Sequence, residues 1–314
     1  MGENYIVLGE RSVKEKYICL RDDDTNFFTE PEELEYCYGE FWGKLPLTLA
    51  AIPFVHGSER RILQLPDQEH KYRALREWEL SATAEELSEY HGIFPIGLND
   101  KLVEELKKKI VAEKIEIAQH GVNHKYTEYG EEMLSKNMGL VAIRDGKEYL
   151  TKVFEQPIRV FVPPANTIDN ICADHLKALN LELFCCGSMV FSKKRTKIVK
   201  AIMNPAGTIE AMTIRKQGYN KPVRNRGGYI ITSSITYDAE KEKKDILDLV
   251  NKSLDKYGFA SITSHYRLLS DKYEKGKKYD YRKNYHELLR ELSEEGCVFL
   301  RASDYIKKAK EKLL

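Results

Sequence analysis

The stretch IEIAQHGVNH, residues 115–124, holds a short apolar run followed by two histidines four positions apart. Isoleucine and alanine alternating with polar residues are typical of a strand packed in a sheet. His120 and His124 would then stand at the carboxyl end of that strand. Amphipathic patterns at residues 101–112 and 131–154 predict a helix on either side. The stretch therefore predicts a helix–strand–helix unit with two imidazoles where the strand ends.

The same alternation extends along the chain. Apolar, β-branched runs predict strands at residues 17–20, 47–54, 115–118, 158–162, 181–185, 229–235, 259–263 and 297–300. Helical patterns occupy residues 32–41, 101–112, 131–154, 169–179, 240–257, 281–293 and 302–312. Such alternation favours a parallel sheet with right-handed crossovers. At 314 residues a closed or nearly closed barrel is favoured over an open doubly wound sheet. The sequence also has neither the GxGxxG motif of dinucleotide-binding folds nor a Walker GxxxxGK[ST] motif.

We expect one α/β domain over residues 1–314, with insertions at residues 57–99 and 193–226 that interrupt the alternation. Long insertions after barrel strands usually form the walls of a binding site.

The composition excludes several classes of protein. There are 50 Lys and Arg against 49 Asp and Glu, which argues against a nucleic-acid partner. No run approaches the ~18 apolar residues of a membrane span, and the amino terminus lacks a signal-peptide core. Six cysteines without a CxxC pair predict reduced thiols in a cytoplasmic protein. The oligomeric state does not follow from these features.

Polar residues collect directly after the predicted strands. Because the carboxyl ends of barrel strands meet at one face, these side chains are expected to lie together. They are Arg21, Asp22, Asp23 and Asp24 after the first strand, His56 after the second, His120 and His124 after the third, Pro164 and Asn166 after the fourth, and His265 and Tyr266 after the seventh.

This set has the chemistry of a catalytic metal site. Three adjacent aspartates repel one another, and a cation between them removes that repulsion. One carboxylate with His120 and His124 gives three ligands and leaves positions open for water, as in catalytic zinc sites. By ligand type the expected ion is Zn²⁺, while Co²⁺, Ni²⁺, Fe²⁺ and Mn²⁺ also suit the site. Taken singly, the aspartates would also fit a solvated turn and the histidines a surface face.

Four motifs, in this order, resemble the polysaccharide deacetylase family, the family 4 carbohydrate esterases with a NodB-like domain. RDDD at residues 21–24 resembles that family's TFDD strand end, and EIAQHGVNH at residues 116–124 its H[ST]xxH motif, with Gly121 for Ser or Thr. FVPPAN at residues 161–166 and SITSH at residues 261–265 resemble the later motifs. The resemblance implies a NodB-like (β/α)7-type distorted barrel, and it is greatest to the divergent WbmS-like branch linked to surface-polysaccharide synthesis.

The resemblance also implies roles and an activity. Asp24, His120 and His124 would hold the metal, Asp23 would be the general base and His265 the general acid. The substrate would be an N-acetylated sugar, in a surface polysaccharide or on a carrier, which loses its acetyl group to a water activated by the metal. A register shifted by one would make Asp22 the base and Asp23 the ligand.

The sequence departs from the family in two places. Val162 stands where the family has an Arg that pairs with the base, so Arg21, on the same strand face as Asp23, is expected to replace it. The family's acidic-Trp motif is not visible in residues 227–238. These departures keep two other functions open, namely a non-catalytic barrel that binds a glycan or partner, and an amidase acting on a non-sugar acylated amine.

Four further residues are expected to line the substrate pocket: Asn166, Pro164, His56 and Tyr266. Each has an alternative explanation, because Asn tolerates a left-handed turn and buried aromatic residues often serve packing alone.

Overall fold

The computed structural model describes residues 15–62, 71–112, 115–125, 127, 130–185, 189–190, 221–237, 241–270 and 280–314. Its strands are β1 (Tyr17–Thr25), β2 (Leu47–Ala51), β3 (Phe54–His56), β4 (Ile93–Pro95), β5 (Ile115–His120), β6 (Val160–Val162), β7 (Ile168–Asp169), β8 (Glu182–Phe184), β9 (Met189–Val190), β10 (Val223–Arg226), β11 (Tyr229–Thr232), β12 (Ile235–Thr236), β13 (Phe259–His265) and β14 (Val298–Leu300). Its helices are Pro31–Tyr38, Glu59–Ile62, Lys71–Ser81, Ala84–Tyr90, Asp100–Val111, Leu140–Phe154, Asn170–Ala178, Lys243–Tyr257, Tyr266–Leu269, Tyr281–Glu294 and Ala302–Leu313.

Ten strands form one sheet in the order β10-β11-β8-β6-β5-β2-β1-β13-β12, with β14 beside the start of β1. Every pairing in this sheet is parallel except that of β10 with β11. Parallel strands need long crossover connections, and helices supply most of them. The predicted parallel α/β architecture is confirmed.

The sheet curls towards closure. Strand β11 lies near one end of the strand order and β12 at the other end, yet only Ser233 and Ser234 separate them in the sequence. Three Cα–Cα steps span at most about 11 Å, so these two sides of the sheet must approach each other here. Ser234 Oγ lies 3.1 Å from Ser261 Oγ on β13, and Ser233 Oγ accepts a hydrogen bond from Arg224 on β10. The predicted distorted barrel is therefore confirmed, whereas the single strand predicted at residues 229–235 is two strands.

Two other predicted elements differ from the structure for local reasons. The strand predicted at residues 47–54 ends at Ala51, because Pro53 has no N–H for a sheet. The helix predicted at residues 131–154 begins only at Leu140, after Gly139 in an extended conformation. The described part of the insertion at residues 57–99 contains three α-helices and β4, which pairs with β3 just before the insertion. Of the insertion at residues 193–226, only residues 221–226 lie within the described part of the chain.

The core has two layers that follow the strand alternation. Along β1, Tyr17 and Cys19 face the barrel interior, where they pack with Tyr305 and Ile306 of the last helix. Ile18 and Leu20 belong to the larger cluster beneath the surrounding helices, so alternate residues of β1 enter different layers. In the described part of the chain, no helix has the length and apolar character needed to cross a bilayer. The assignment of residues 1–314 to one domain stays a prediction.

Candidate metal centre

Strand β1 carries the aspartates. It continues to Thr25, beyond its predicted end, so Asp22, Asp23 and Asp24 lie within the strand and are at most 3 % exposed. The alternative of a solvated acidic turn is therefore wrong. Asp22 faces away from the barrel interior, where its carboxylate accepts hydrogen bonds from Tyr38 and Ser264. Burial raises the pKa of Asp22 well above its usual range, despite these two hydrogen bonds.

Asp24 departs from the alternation of the strand. Its φ is +75°, and the register of β1 against β2 shifts between Asp22 and Thr25. An irregularity of this kind redirects a side chain, and a left-handed non-glycine residue costs about 1–3 kcal/mol. Regular alternation would place Asp24 on the Asp22 face. The irregularity instead brings its carboxylate towards the histidines that follow β5.

Asp24, His120 and His124 converge on one point. Asp24 Oδ1 lies 3.2 Å from His120 Nε2 and 3.5 Å from His124 Nε2. Among the described residues, these three side chains bring their acidic and imidazole ligand atoms close enough together to hold a metal ion. Zinc bonds of about 2.0 Å in a tetrahedron separate neighbouring ligand atoms by about 3.3 Å. The three residues therefore fit a divalent ion of that size.

The orientation of His120 and the ionisation of Asp24 also suit a metal. His120 Nδ1 lies 3.0 Å from the carbonyl oxygen of Val162, which can only accept, so Nδ1 carries a proton and Nε2 is the ring nitrogen that faces Asp24. Burial alone would raise the pKa of Asp24. The hydrogen bond from His120 and the charges of His124 and His265 hold that pKa well below its usual range, so Asp24 is ionised.

The loop after β5 is held by Glu132. Its buried carboxylate accepts hydrogen bonds from the backbone N–H groups of Val122, Asn123 and His124, at 3.1, 2.6 and 3.1 Å. Gly121 has a φ of +60°, and a Cβ there would lie 2.0 Å from Glu132 Oε2 and 2.5 Å from Pro164 Cγ. No Ser or Thr side chain fits that space, which explains the glycine in this motif.

Asp23 and Arg21 form the pair expected from the alternation. Arg21 Nη2 donates to Asp23 Oδ2 at 2.8 Å, and Arg21 Nη1 donates to the carbonyl oxygen of Phe184 at 3.2 Å. The guanidinium also lies 4.6 Å from the centre of the Phe184 ring. Asp23 Oδ1 is buried and has no hydrogen-bond partner among the described residues. The pair therefore leaves one carboxylate oxygen available to a ligand.

His265 stands opposite Asp23 in the pairing of β13 with β1. Its Nε2 lies 4.0 Å from Asp24 Oδ2, and its side chain is 26 % exposed, far more than the other residues of the cluster. His265 therefore lies on the solvent side of the cluster. A group that exchanges protons with a bound molecule needs such access.

The four predicted pocket residues have different surroundings. Tyr266 is 2 % exposed and its hydroxyl lies 2.9 Å from Thr29 Oγ1, so its ring is packed inside the protein and is not presented to a sugar as predicted. His56 is buried with Nδ1 2.8 Å from Ser58 Oγ, and burial lowers its pKa to about 4. Pro164 is buried against Gly121. Asn166 has a φ of +50°, as the turn alternative predicts, and its role towards substrate stays a prediction.

Besides Glu132, two buried charged residues near the cluster escaped the sequence analysis. Glu59 Oε1 lies 2.7 Å from His124 Nδ1, and Glu59 Oε2 accepts from Arg267 Nη1 at 3.1 Å. Burial would lower the pKa of His124, but the charges of Glu59 and Asp24 raise it to about 9. Glu59 lies inside an insertion and contacts Arg267 across 208 positions, so no local pattern indicates either one.

Comparison with known proteins gives one family. Residues 76–184, which include both histidines of the cluster, match the family model described as polysaccharide deacetylase. A search of curated protein sequences finds no significant match.

Solved structures with low sequence identity resemble this chain over most of its length. A family 4 acetyl xylan esterase from Clostridium thermocellum in complex with cobalt has 9 % identity and a TM-score of 0.46, covering 93 % of this chain and 91 % of that one. A CE4 family pseudoenzyme from Bacillus anthracis has 10 % identity and a TM-score of 0.45, over 93 % and 66 %. A GH57-type branching enzyme from Pyrococcus horikoshii has 11 % identity and a TM-score of 0.50, over 94 % and 70 %. At such low identity, none of these three likenesses selects an activity for this chain.

Proposed function

We propose, from the match of residues 76–184 to the polysaccharide deacetylase family model, that this chain removes an N-acetyl group from a sugar by metal-assisted hydrolysis. The observation that carries the proposal is the buried cluster of Asp24, His120 and His124, flanked by Asp23 and His265. We place the chain in the WbmS-like branch, with a surface-polysaccharide or carrier-linked amino sugar as substrate.

In this proposal Asp24, His120 and His124 hold one divalent ion, most simply Zn²⁺. When bound, the ion lowers the pKa of a water and polarises the acetyl carbonyl group. The ionised carboxylate and the facing Nε2 atoms of His120 and His124 form a ligand set of the catalytic zinc type once both imidazoles are neutral.

Asp23 is proposed as the general base. Its Oδ1 is buried with no hydrogen-bond partner among the described residues, while Arg21 binds Oδ2. Arg21 thereby fixes the orientation of the carboxylate and leaves Oδ1 to take a proton from the attacking water.

His265 is proposed as the general acid. Water adds to the acetyl carbonyl carbon, the C–N bond breaks, and His265 gives a proton to the departing nitrogen. The products are acetate and the free amino sugar. The partial exposure of His265 lets it contact a substrate that enters from solvent.

The test is acetate release by the purified full-length protein loaded with Zn²⁺ or Co²⁺. The substrates are N-acetylated oligosaccharides, a nucleotide-linked N-acetyl sugar, and small N-acetylated amines that lack a sugar ring. Release from the sugars alone supports the proposal. Release from the small amines alone supports the amidase, and binding of glycan without release supports the non-catalytic barrel.

A further inference from the structure

Glu59 lies directly behind one of the proposed metal ligands. Its side chain is 2 % exposed, with Oε1 2.7 Å from His124 Nδ1 and Oε2 3.1 Å from Arg267 Nη1. On the other side of the imidazole ring, His124 Nε2 faces Asp24 Oδ1 at 3.5 Å. His124 therefore has a carboxylate at each ring nitrogen. Asp24, at Nε2, would share a metal ion with it, and Glu59, at Nδ1, would not.

The two histidines are oriented by different groups. An imidazole that binds a metal through one nitrogen keeps its proton on the other, and the partner of that second nitrogen fixes the ring. For His120 the partner is the neutral carbonyl oxygen of Val162, whereas for His124 it is the charged carboxylate of Glu59. A carboxylate holds the N–H more strongly than a neutral acceptor and makes the opposite nitrogen a stronger ligand.

Arg267 stabilises this arrangement from behind. A buried carboxylate is costly unless it is paired, and the Arg267 guanidinium supplies the opposite charge to Glu59. Arg267 Nε also donates to the hydroxyl of Tyr266 at 3.3 Å, and that hydroxyl lies 2.9 Å from Thr29 Oγ1. Thr29 Oγ1 in turn accepts from the N–H of Asn26, two residues after the aspartate of the cluster. Buried hydrogen bonds and ion pairs thus connect the support of His124 to the loop that follows β1.

We propose that Glu59, held by Arg267, is a positioning residue that orients His124 and raises the affinity of the site for a divalent transition metal. This rests on the proposed function, because it requires a metal ion at Asp24, His120 and His124. It also assigns Tyr266 to the support of the site, in place of a contact with the sugar.

The test is a Co²⁺ titration of the full-length protein after chelation, read by visible absorption and by competition with a chelator of known affinity. Glu59→Gln keeps the shape of the side chain and removes its charge. At an alkaline pH at which His124 is deprotonated in both proteins, we expect about 10–100-fold weaker Co²⁺ binding and a changed absorption band. Glu116→Gln is the matched control, because Glu116 is also a buried carboxylate but contacts Thr48 and Ser303 at the other end of β5. It should leave the affinity and the band unchanged.

A second set of variants tests whether Arg267 acts on metal binding through Glu59. Arg267→Met should weaken Co²⁺ binding, and Arg267→Lys, which keeps the charge, should restore part of it. In the Glu59→Gln, Arg267→Met double variant the loss should be smaller than the sum of the two single losses, because both act through one carboxylate. The double variant also removes both buried charges, so it keeps the test open if Arg267→Met alone does not fold.

The outcomes separate this inference from the function on which it rests. If the wild-type protein binds no Co²⁺, both the metal site and the role of Glu59 are overturned. If the wild-type protein binds Co²⁺ and Glu59→Gln binds it equally well with the same band, only the role of Glu59 is overturned. Fully additive losses in the double variant would overturn the link between Arg267 and Glu59.

Discussion

Strand β5 has a buried polar group at each end, and the two ends differ in how those groups are satisfied. At the amino end, Glu116 Oε2 accepts from the N–H of Ser303 at 3.0 Å and lies 3.4 Å from Thr48 Oγ1. The N–H of Ala302 donates to the same Thr48 hydroxyl at 2.9 Å. A carboxylate at the start of the last helix also interacts favourably with the helix dipole. At this end the carboxylate thus has a structural role, because it joins β5 to β2 and to the start of the last helix.

At the carboxyl end, the acidic and imidazole side chains converge on one another. Asp24, with its left-handed backbone, turns its carboxylate to His120, and Asp23 keeps one buried oxygen without a hydrogen-bond partner among the described residues. Burial is similar at the two ends, so burial alone does not distinguish a structural carboxylate from a ligand. The strained backbone of Asp24 and the available carboxylate oxygen of Asp23 do distinguish the two ends.

The largest expected effect is at the carboxyl end. His120→Ala removes a proposed ligand, so the purified protein should lose both its metal content and acetate release. His265→Ala removes only the proposed acid, so metal content should stay at about one ion per chain while turnover falls about 10²–10⁴-fold. Metal analysis and an acetate assay on the same preparations check both. If both variants keep wild-type metal and turnover, the site assignment is wrong.

The part of the site that lies in local motifs was predictable from the sequence. Asp24, His120 and His124 each stand near a strand end, and parallel strands bring those ends together whatever the details of the loops. The Arg21–Asp23 pair was predictable because residues two apart share a strand face. The irregularity at Asp24 was not, because only the register against β2 reveals it.

The supporting residues could not be predicted, because their roles depend on contacts between distant segments. Glu59 meets Arg267 across 208 positions, and the short helix Tyr266–Leu269 turns the Tyr266 ring into the core. In the fold, the alternation predicted the sheet and most helices. It could not show that Ser233 and Ser234 divide one apolar run between two sides of the sheet, because that follows from the curvature of the whole barrel.

Asp23→Asn should produce the next largest effect. The amide keeps the shape of the side chain but cannot take a proton, so kcat should fall about 10²–10⁴-fold while the metal content is unchanged. The variant also leaves the buried Arg21 charge without its carboxylate partner, so the free energy of unfolding should be measured by denaturant titration. Assays are then made where the protein is fully folded. Wild-type kcat in this variant would exclude Asp23 as the base.

Metal binding should depend on pH through His124. Glu59 and Asp24 raise its pKa to about 9, above the ordinary value, so this imidazole is protonated at neutral pH and must lose a proton to become a ligand. The apparent affinity for Co²⁺ should therefore rise about tenfold per pH unit from pH 7 and level off near pH 9. Titrations at several pH values check this. A plateau already reached by pH 7 would mean that His124 has an ordinary pKa.

The smallest effect on function should come from the amino end of the same strand. Glu116→Gln removes a charge from the start of the last helix and weakens its hydrogen bond to Ser303, so the free energy of unfolding should fall by about 1–2 kcal/mol. Metal content and kcat should stay at wild-type values, because Glu116 contacts Thr48 and Ser303 and none of the proposed ligands. Denaturant unfolding, metal analysis and the acetate assay measure the three quantities. If Glu116→Gln lost metal together with stability, loss of the ion would be a general result of loosening the barrel, and metal loss in the carboxyl-end variants would no longer identify ligands.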